Sequence, residues 1–152
     1  MTKPSLYFFA CLLIFIIVLS LLITGSSILT VPIYEGSSIP MGTPITWTGL
    51  IALPLTISFG VGEFRNPKKR PKLFNQLLKF SVGFAVLWVP VSYLLAGNLS
   101  FSFSGAATGF QGGQLAMKLF WGYTYGIAIL PLVLFIIYCI LILVKKRGKR
   151  NI

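Results

Sequence analysis

The sequence predicts an all-α fold, an integral membrane bundle of four transmembrane helices, and three observations lead to that prediction. Hydrophobic residues make up 56% of the 152 residues and charged residues only 10%, which is outside the range of soluble globular proteins. Four apolar runs have about the length that a bilayer core of about 30 Å requires, although the second is short for a perpendicular crossing. The basic residues collect where these runs end. We therefore predict a single transmembrane domain over residues 1–152.

The first predicted span covers about residues 6–29 and follows Lys3. Its apolar run from Leu6 to Leu22 exceeds the core of a typical signal peptide, so we expect the span to be retained rather than cleaved. Cys11 in this span and Cys139 in the last one are interpreted as inert buried thiols, with acylation as the alternative.

The first outer loop follows, because residues 30–45 contain three prolines and several Gly and Ser residues, which favour turns over a helix. Within it, Thr30 to Tyr34 are predicted to form a short extended segment. The second predicted span covers about residues 46–64. It opens with Trp47, a residue typical of the membrane interface, and contains Pro54, which neighbouring helices in a membrane can accommodate.

A basic loop separates the second span from the third. It holds two prolines and five cations, which can neither enter hydrocarbon nor continue a helix, so the chain must turn back there. The cations are Arg65, Lys68, Lys69, Arg70 and Lys72.

The third predicted span covers about residues 76–96, with Trp88, Pro90 and Tyr93 in its outer half. The second outer loop then runs to Met117. Its residues 99–104 alternate apolar and small polar side chains, which predicts a strand, and four glycines follow, which predict a flexible cap. The strand is expected to pair with the extended part of the first loop, and a re-entrant glycine segment is the alternative.

The fourth predicted span covers about residues 118–144, with Trp121, Tyr123 and Tyr125 at the outer interface and Pro131 further in. A basic cytoplasmic tail over residues 145–152 is expected to stop this helix. Its cations are Lys145, Lys146, Arg147, Lys149 and Arg150.

The distribution of charge predicts the orientation of the bundle. Twelve of the thirteen basic residues fall on the side of the basic loop and the two termini, and only Lys118 falls on the other side. By the positive-inside rule both termini are cytoplasmic, and a bacterial inner membrane is the expected location. Because the basic residues cluster at the ends of the apolar runs, we expect the protein to have the lipid bilayer as its partner. The net charge of +11 is therefore not interpreted as a nucleic-acid-binding surface.

Small residues spaced by four mark where helices can approach closely in lipid. The pair Gly122 and Gly126 in the fourth span is the most specific, and it is expected to pack inside the bundle or to form a seam with another chain. Related pairs are Ser58 and Gly62 in the second span and Ser81 and Ala85 in the third.

The three spans with a central proline suggest another use of the bundle. Pro54, Pro90 and Pro131 fall at similar depth by residue count, so kinks there would open carbonyls toward a central cation site. No charged side chain accompanies them at that depth, which favours ordinary membrane-helix prolines.

The side chains needed for catalysis are scarce. There is no histidine, and the two acids, Glu35 and Glu63, lie on opposite predicted membrane faces. Paired carboxylates, metal clusters and Ser-His-Asp arrangements all lack members, so we expect no enzyme activity, no metal and no cofactor. Glu63 stands beside Arg65 at the cytoplasmic border, where a surface ion pair is the expected role.

These observations favour a non-catalytic multi-pass membrane protein that acts through contacts with another membrane protein or with itself. One such function is that of an accessory subunit of a larger complex. Four spans, cytoplasmic termini and a basic central loop also resemble the layout of immunity proteins against pore-forming bacteriocins, an analogy of architecture that no motif carries. A small oligomeric channel or transporter is the alternative.

Overall fold

The computed structural model describes residues 3–63, 72–99, 103 and 109–148. In this part the chain forms five α-helices and no β-strand. A short 3₁₀ helix, Ser27–Leu29, follows the first helix. The α-helices are α1 (Lys3–Thr24), α2 (Gly42–Glu63), α3 (Lys72–Val86), α4 (Trp88–Ala96) and α5 (Gln114–Gly148).

Three helices are long and apolar enough to cross a membrane, over Ser5–Thr24, Gly42–Val61 and Gln114–Val144. The bent pair α3 and α4 would make a fourth span if the pair is counted as one. The described part of the chain is therefore compatible with a membrane protein of three or four spans.

The third predicted span differs from the continuous helix expected from the sequence, because α3 and α4 meet at 47° across Leu87. Pro90 lies three residues into the new direction and has no N–H to donate to the Val86 carbonyl, which a continuous helix requires. The helical bonds on either side persist, from Leu87 N–H to the Gly83 carbonyl at 3.1 Å and from Val91 N–H to the Leu87 carbonyl at 3.0 Å. The break is thus confined to one turn.

Two glycines of α2 let α1 approach closely. A Cβ built on Gly49 would lie 2.5 Å from Cγ1 of Val18, and one built on Gly60 would lie 2.8 Å from the ring of Phe8. Real Cβ atoms do not come this close to other heavy atoms, so a larger residue at either position would require Val18 or Phe8 to move. The side chains of α1 therefore seat directly on the backbone of α2.

Two apolar clusters form the interior of the bundle. One joins α2, α3 and α5, and in it Phe74 stacks on Tyr138 with ring centroids 4.5 Å apart. The other lies at the α3–α4 bend around Trp88, which is only 3% exposed. The first contains Leu53, Ile57, Val61, Phe74, Leu78, Leu134 and Tyr138, and the second contains Ala85, Trp88, Phe120 and Ile127.

The first loop folds back on itself as a short hairpin. The Ile33 N–H donates to the Ile39 carbonyl at 3.0 Å, and the Met41 N–H donates to the Val31 carbonyl at 2.7 Å. The extended segment predicted from Thr30 to Tyr34 thus pairs with residues 39–41. Most of the strand predicted over residues 99–104 lies outside the described residues.

The last helix is longer than the predicted span, since α5 begins at Gln114 and ends at Gly148. The first four residues of the predicted basic tail therefore continue the helix and do not stop it. At the other end of the chain, α1 ends at Thr24, and the remainder of the predicted first span is a turn at Gly25 and Ser26 followed by the 3₁₀ helix.

Candidate functional site

The bend between α3 and α4 is the place where the described helices bring most side-chain hydrogen bonds together. Breaking a helix leaves backbone carbonyls without their partners four residues on. In a bilayer core there is no water to satisfy them, so other protein groups must do so. Three consecutive carbonyls at the end of α3, those of Phe84, Ala85 and Val86, accept such bonds here.

Trp47 of α2 bonds two of these carbonyls. Its indole Nε1–H lies 3.0 Å from the Ala85 oxygen and 3.1 Å from the Val86 oxygen, so one donor is shared between two acceptors. The Val86 carbonyl is the one that Pro90 leaves without a helical donor. The indole thus replaces the missing backbone bond from a helix 38 to 39 residues earlier in the chain.

Tyr123 of α5 bonds the third carbonyl. Its hydroxyl donates to the Phe84 oxygen at 2.7 Å, and the two rings meet edge to face with centroids 6.4 Å apart. The neighbouring Thr124 accepts a hydrogen bond from the indole Nε1–H of Trp88 at 2.9 Å. Donors from α2 and α5 therefore hold the bend from two sides.

The hydrogen bonds at the bend compete with the cation site that the three prolines suggest. At Pro90 the carbonyls that the bend exposes are already occupied by the Trp47 indole and the Tyr123 hydroxyl. A cation at this position would have to displace both donors. Pro54 and Pro131 are both buried, with less than 2% of each residue exposed.

Beside the bend, α3 and α5 enclose a shallow groove of about 310 Å³. Gly122 and Gly126 form part of its wall, and a Cβ built on either glycine would meet no atom within 4 Å. Within the described chain the two glycines therefore face open space, and packing inside the bundle or against another chain stays a prediction. The lining residues are Ser81, Phe84, Gly122, Tyr123, Gly126, Ile127 and Leu130.

The other predicted packing residues lie in different surroundings. Ser81 and Ala85 are both almost fully buried on one face of α3, and the Ser81 hydroxyl donates to the Leu77 carbonyl at 3.0 Å. Ser58 is half-buried on α2. Gly62 lies in the last turn of the same helix.

The predicted topology determinants fall largely outside the described residues. Lys72 begins α3, and Lys145, Lys146 and Arg147 lie in the last turn of α5. The remaining determinants are outside the described part of the chain: Arg65, Lys68, Lys69, Arg70, Lys149 and Arg150.

The described residues contain no group of three or more His, Cys, Asp or Glu side chains that could hold a metal ion. Cys11 and Cys139 are free thiols and half-buried.

The sequence predicts Trp47 and Tyr123 at the membrane interface but does not predict their bonds to α3. The sequence does contain an indication of them. Pro90 has no N–H, so the carbonyl four residues earlier lacks its helical donor, and an aromatic N–H or O–H group can take that donor's place. The sequence could not indicate which donors would be used.

Comparison with known proteins gives no match, either to a protein-family model, to a curated protein or to a solved structure.

Proposed function

We propose that this chain is a non-catalytic multi-pass protein of the bacterial inner membrane, with cytoplasmic termini, that acts by binding another membrane protein. An accessory subunit and an immunity-type protein are the two forms this function takes. The observation that supports it is the open groove at Gly122 and Gly126, which no helix of the described chain fills.

The groove suits a transmembrane helix of a partner. Helices in lipid associate through close backbone approach, which small residues permit, because no hydrophobic drive presses them together. A partner helix crossing at Gly122 and Gly126 would contact the α5 backbone directly. A neighbouring face of α5 is already used, since Phe120, Leu134 and Tyr138 are buried in the bundle.

The proposed contact also fits the scarcity of reactive groups. A protein with no histidine and two acids in 152 residues has few means of acid-base chemistry but needs none to occupy a binding surface. The side-chain bonds at the bend support the same function, because they fix the position of α3 against α5 and thus the shape of the groove.

Site-specific photo-crosslinking in intact cells tests the proposal. A photoreactive residue at Leu130, on the groove, is expected to give an adduct with one other membrane protein, identified by mass spectrometry. The same residue at Ile136, exposed on α5 but not in the groove, is the control and should give none. Gly122→Ile should abolish the Leu130 adduct while leaving membrane abundance unchanged, since the added side chain meets open space.

The outcomes separate the two functions. An adduct with a second copy of the chain would favour the oligomeric channel or transporter. Absence of any adduct at Leu130, or an adduct that persists in Gly122→Ile, would overturn the proposed contact.

A further inference from the structure

We propose that a second groove, between α1, α2 and α5, binds one anionic phospholipid, with an acyl chain between the helices and the phosphate headgroup near the cations at the adjacent helix ends. This groove encloses about 430 Å³. It is lined by Phe8, Thr56, Ile57, Gly60, Val61, Leu132, Phe135, Tyr138 and Ile142.

The lining is suited to hydrocarbon. Thr56 brings a hydroxyl to it, and that hydroxyl already donates to the Ala52 carbonyl within α2 at 2.8 Å. The hydroxyl therefore does not require a polar ligand. Among lining residues, Leu132 and Phe135 are 45% and 40% exposed, so the groove opens sideways where the apolar helices face their surroundings. A lipid chain can enter from that side without crossing a polar barrier.

The size of the groove favours a lipid acyl chain over a transmembrane helix as its occupant. On one side α1 and α2 touch, because the ring of Phe8 seats on the backbone of Gly60. A helix with its side chains is about 10–12 Å across and would have to part these two helices. An extended acyl chain is much thinner and fits between Phe8 and the side chains of α5.

One end of the groove lies close to three helix termini. Phe8 lies in the second turn of α1, Val61 in the last turn of α2, and Ile142 about two turns before the end of α5. The beginning of α1 and the ends of α2 and α5 thus meet at the same end of the bundle.

Cations occupy these termini in the sequence. Lys3 precedes Phe8 by five residues, and Lys145 and Lys146 follow Ile142 by three and four. At a rise of 1.5 Å per residue, these offsets place the cationic positions about 5–8 Å beyond the groove along the helix axes. A phosphate headgroup attached to an acyl chain in the groove would therefore extend toward these cationic positions.

Acidic charge at this end is sparse. Glu63 closes α2 two residues after Val61, and it is the one acid in the sequence on this side of the bundle. The cations outnumber it, so the electrostatic potential favours an anionic headgroup over a zwitterionic one. The site is separate from the Gly122 groove and does not depend on the proposed partner.

Native mass spectrometry of the full chain tests the site, with dioleoyl phosphatidylglycerol and dioleoyl phosphatidylcholine as probes offered separately in detergent. The parent protein should retain one phosphatidylglycerol and little phosphatidylcholine. Leu132→Trp fills the groove and should abolish retention of both lipids. Val133→Trp, at a neighbouring position of similar exposure (43%) outside the groove, should retain phosphatidylglycerol as the parent does.

The headgroup contribution is tested with Lys145→Gln and Lys146→Gln combined, which should weaken retention of phosphatidylglycerol on the order of tenfold. Lys118→Gln, at the other end of α5, is the matched control and should have no effect. Equal retention by parent and Leu132→Trp would overturn the groove as the site. Equal retention of the two lipids by the parent, or no effect of the lysine pair, would overturn its preference for anionic lipid.

Discussion

Trp47 and Val86 lie on different helices, and the indole N–H of Trp47 donates to the Val86 carbonyl oxygen at 3.1 Å. In a continuous helix that carbonyl would accept from residue 90, which is proline and has no N–H. The tryptophan therefore compensates a defect that the proline creates. Because the bond joins α2 to the end of α3, it also fixes the bend within the bundle.

Trp47→Phe is expected to destabilise the folded chain by about 0.5–2 kcal/mol, since the carbonyls of Ala85 and Val86 lose a shared donor. The aromatic ring is kept, so most of the apolar contact remains. Unfolding in mixed detergent micelles, followed by circular dichroism, measures the effect. Trp121→Phe, at an exposed position of α5, controls for the loss of an indole and should change stability little. Equal behaviour of the two variants would contradict a structural role for the Trp47 bond.

Tyr123→Phe removes the hydroxyl that donates to the Phe84 carbonyl at 2.7 Å but keeps the edge-to-face ring contact. We expect a loss of about 0.5–1.5 kcal/mol by the same measurement. Tyr125→Phe is the control, because its ring lies exposed and stacks on Trp121. Since Tyr123 and Trp47 bond adjacent carbonyls of one helix end, the double variant should lose a different amount from the sum of the two single losses. Strict additivity would show that the two bonds hold the bend independently.

Much of the helical arrangement is predictable from hydropathy. The sequence places the second span at 46–64, and α2 covers Gly42–Glu63. The break at Leu87 is not predictable in this way, because a proline in a membrane helix is compatible with a continuous helix, a kink or two helices. Which of these forms depends on whether a neighbour supplies a donor for the freed carbonyl. Here that donor is Trp47, and its placement requires the tertiary fold.

The contacts of the glycine pair of α5, Gly122 and Gly126, are likewise not predictable from the sequence. Its spacing is visible in the sequence, but α5 is apolar on every side, so the pattern does not reveal which face enters the bundle. The structure shows that the buried stripe runs through Phe120, Ile127, Leu134 and Tyr138, whose larger side chains fill the interior. The glycines are left facing open space.

The proposed orientation can be checked by cysteine labelling after Cys11 and Cys139 are replaced with alanine. Because twelve of the thirteen basic residues fall on one predicted side, engineered cysteines at Asn66 and Asn151 should be protected from an impermeant maleimide added to intact cells. A cysteine at Ser37, in the hairpin of the first loop, should react. The reverse pattern would contradict the orientation, and permeabilised cells show that every site is reactive once reached.

Glu63→Gln separates the proposed function from the transporter alternative. A carboxylate that ends α2 next to Arg65 in the sequence is expected to form a surface ion pair, worth at most about 1 kcal/mol. The variant should therefore keep membrane abundance and the Leu130 crosslink. Proton flux into proteoliposomes, measured with a pH-sensitive dye, should be the same for parent and variant. A flux in the parent that disappears in the variant would instead support proton-coupled transport.

Gly49→Ala tests the close contact between α1 and α2. Its Cβ would fall 2.5 Å from Cγ1 of Val18, whose side chain is 7% exposed and β-branched, so it cannot turn away. The helices must separate, and we expect a loss of about 1–3 kcal/mol, as for other overpacked interiors. Detergent unfolding measures the loss.

Gly83→Ala is the matched control for that substitution, since a Cβ there meets nothing within 4 Å. In a helix interior, alanine is preferred over glycine by about 0.5–1 kcal/mol, so this variant should be neutral or slightly more stable. Val18→Ala removes Cγ1, the methyl group that the new Cβ would strike, and it leaves a cavity when made alone. Combined with Gly49→Ala, it should cost less than the sum of the two single losses, because each change relieves the other. If the losses add, the clash at Val18 is not the cause, and α1 is held against α2 by contacts elsewhere along the pair.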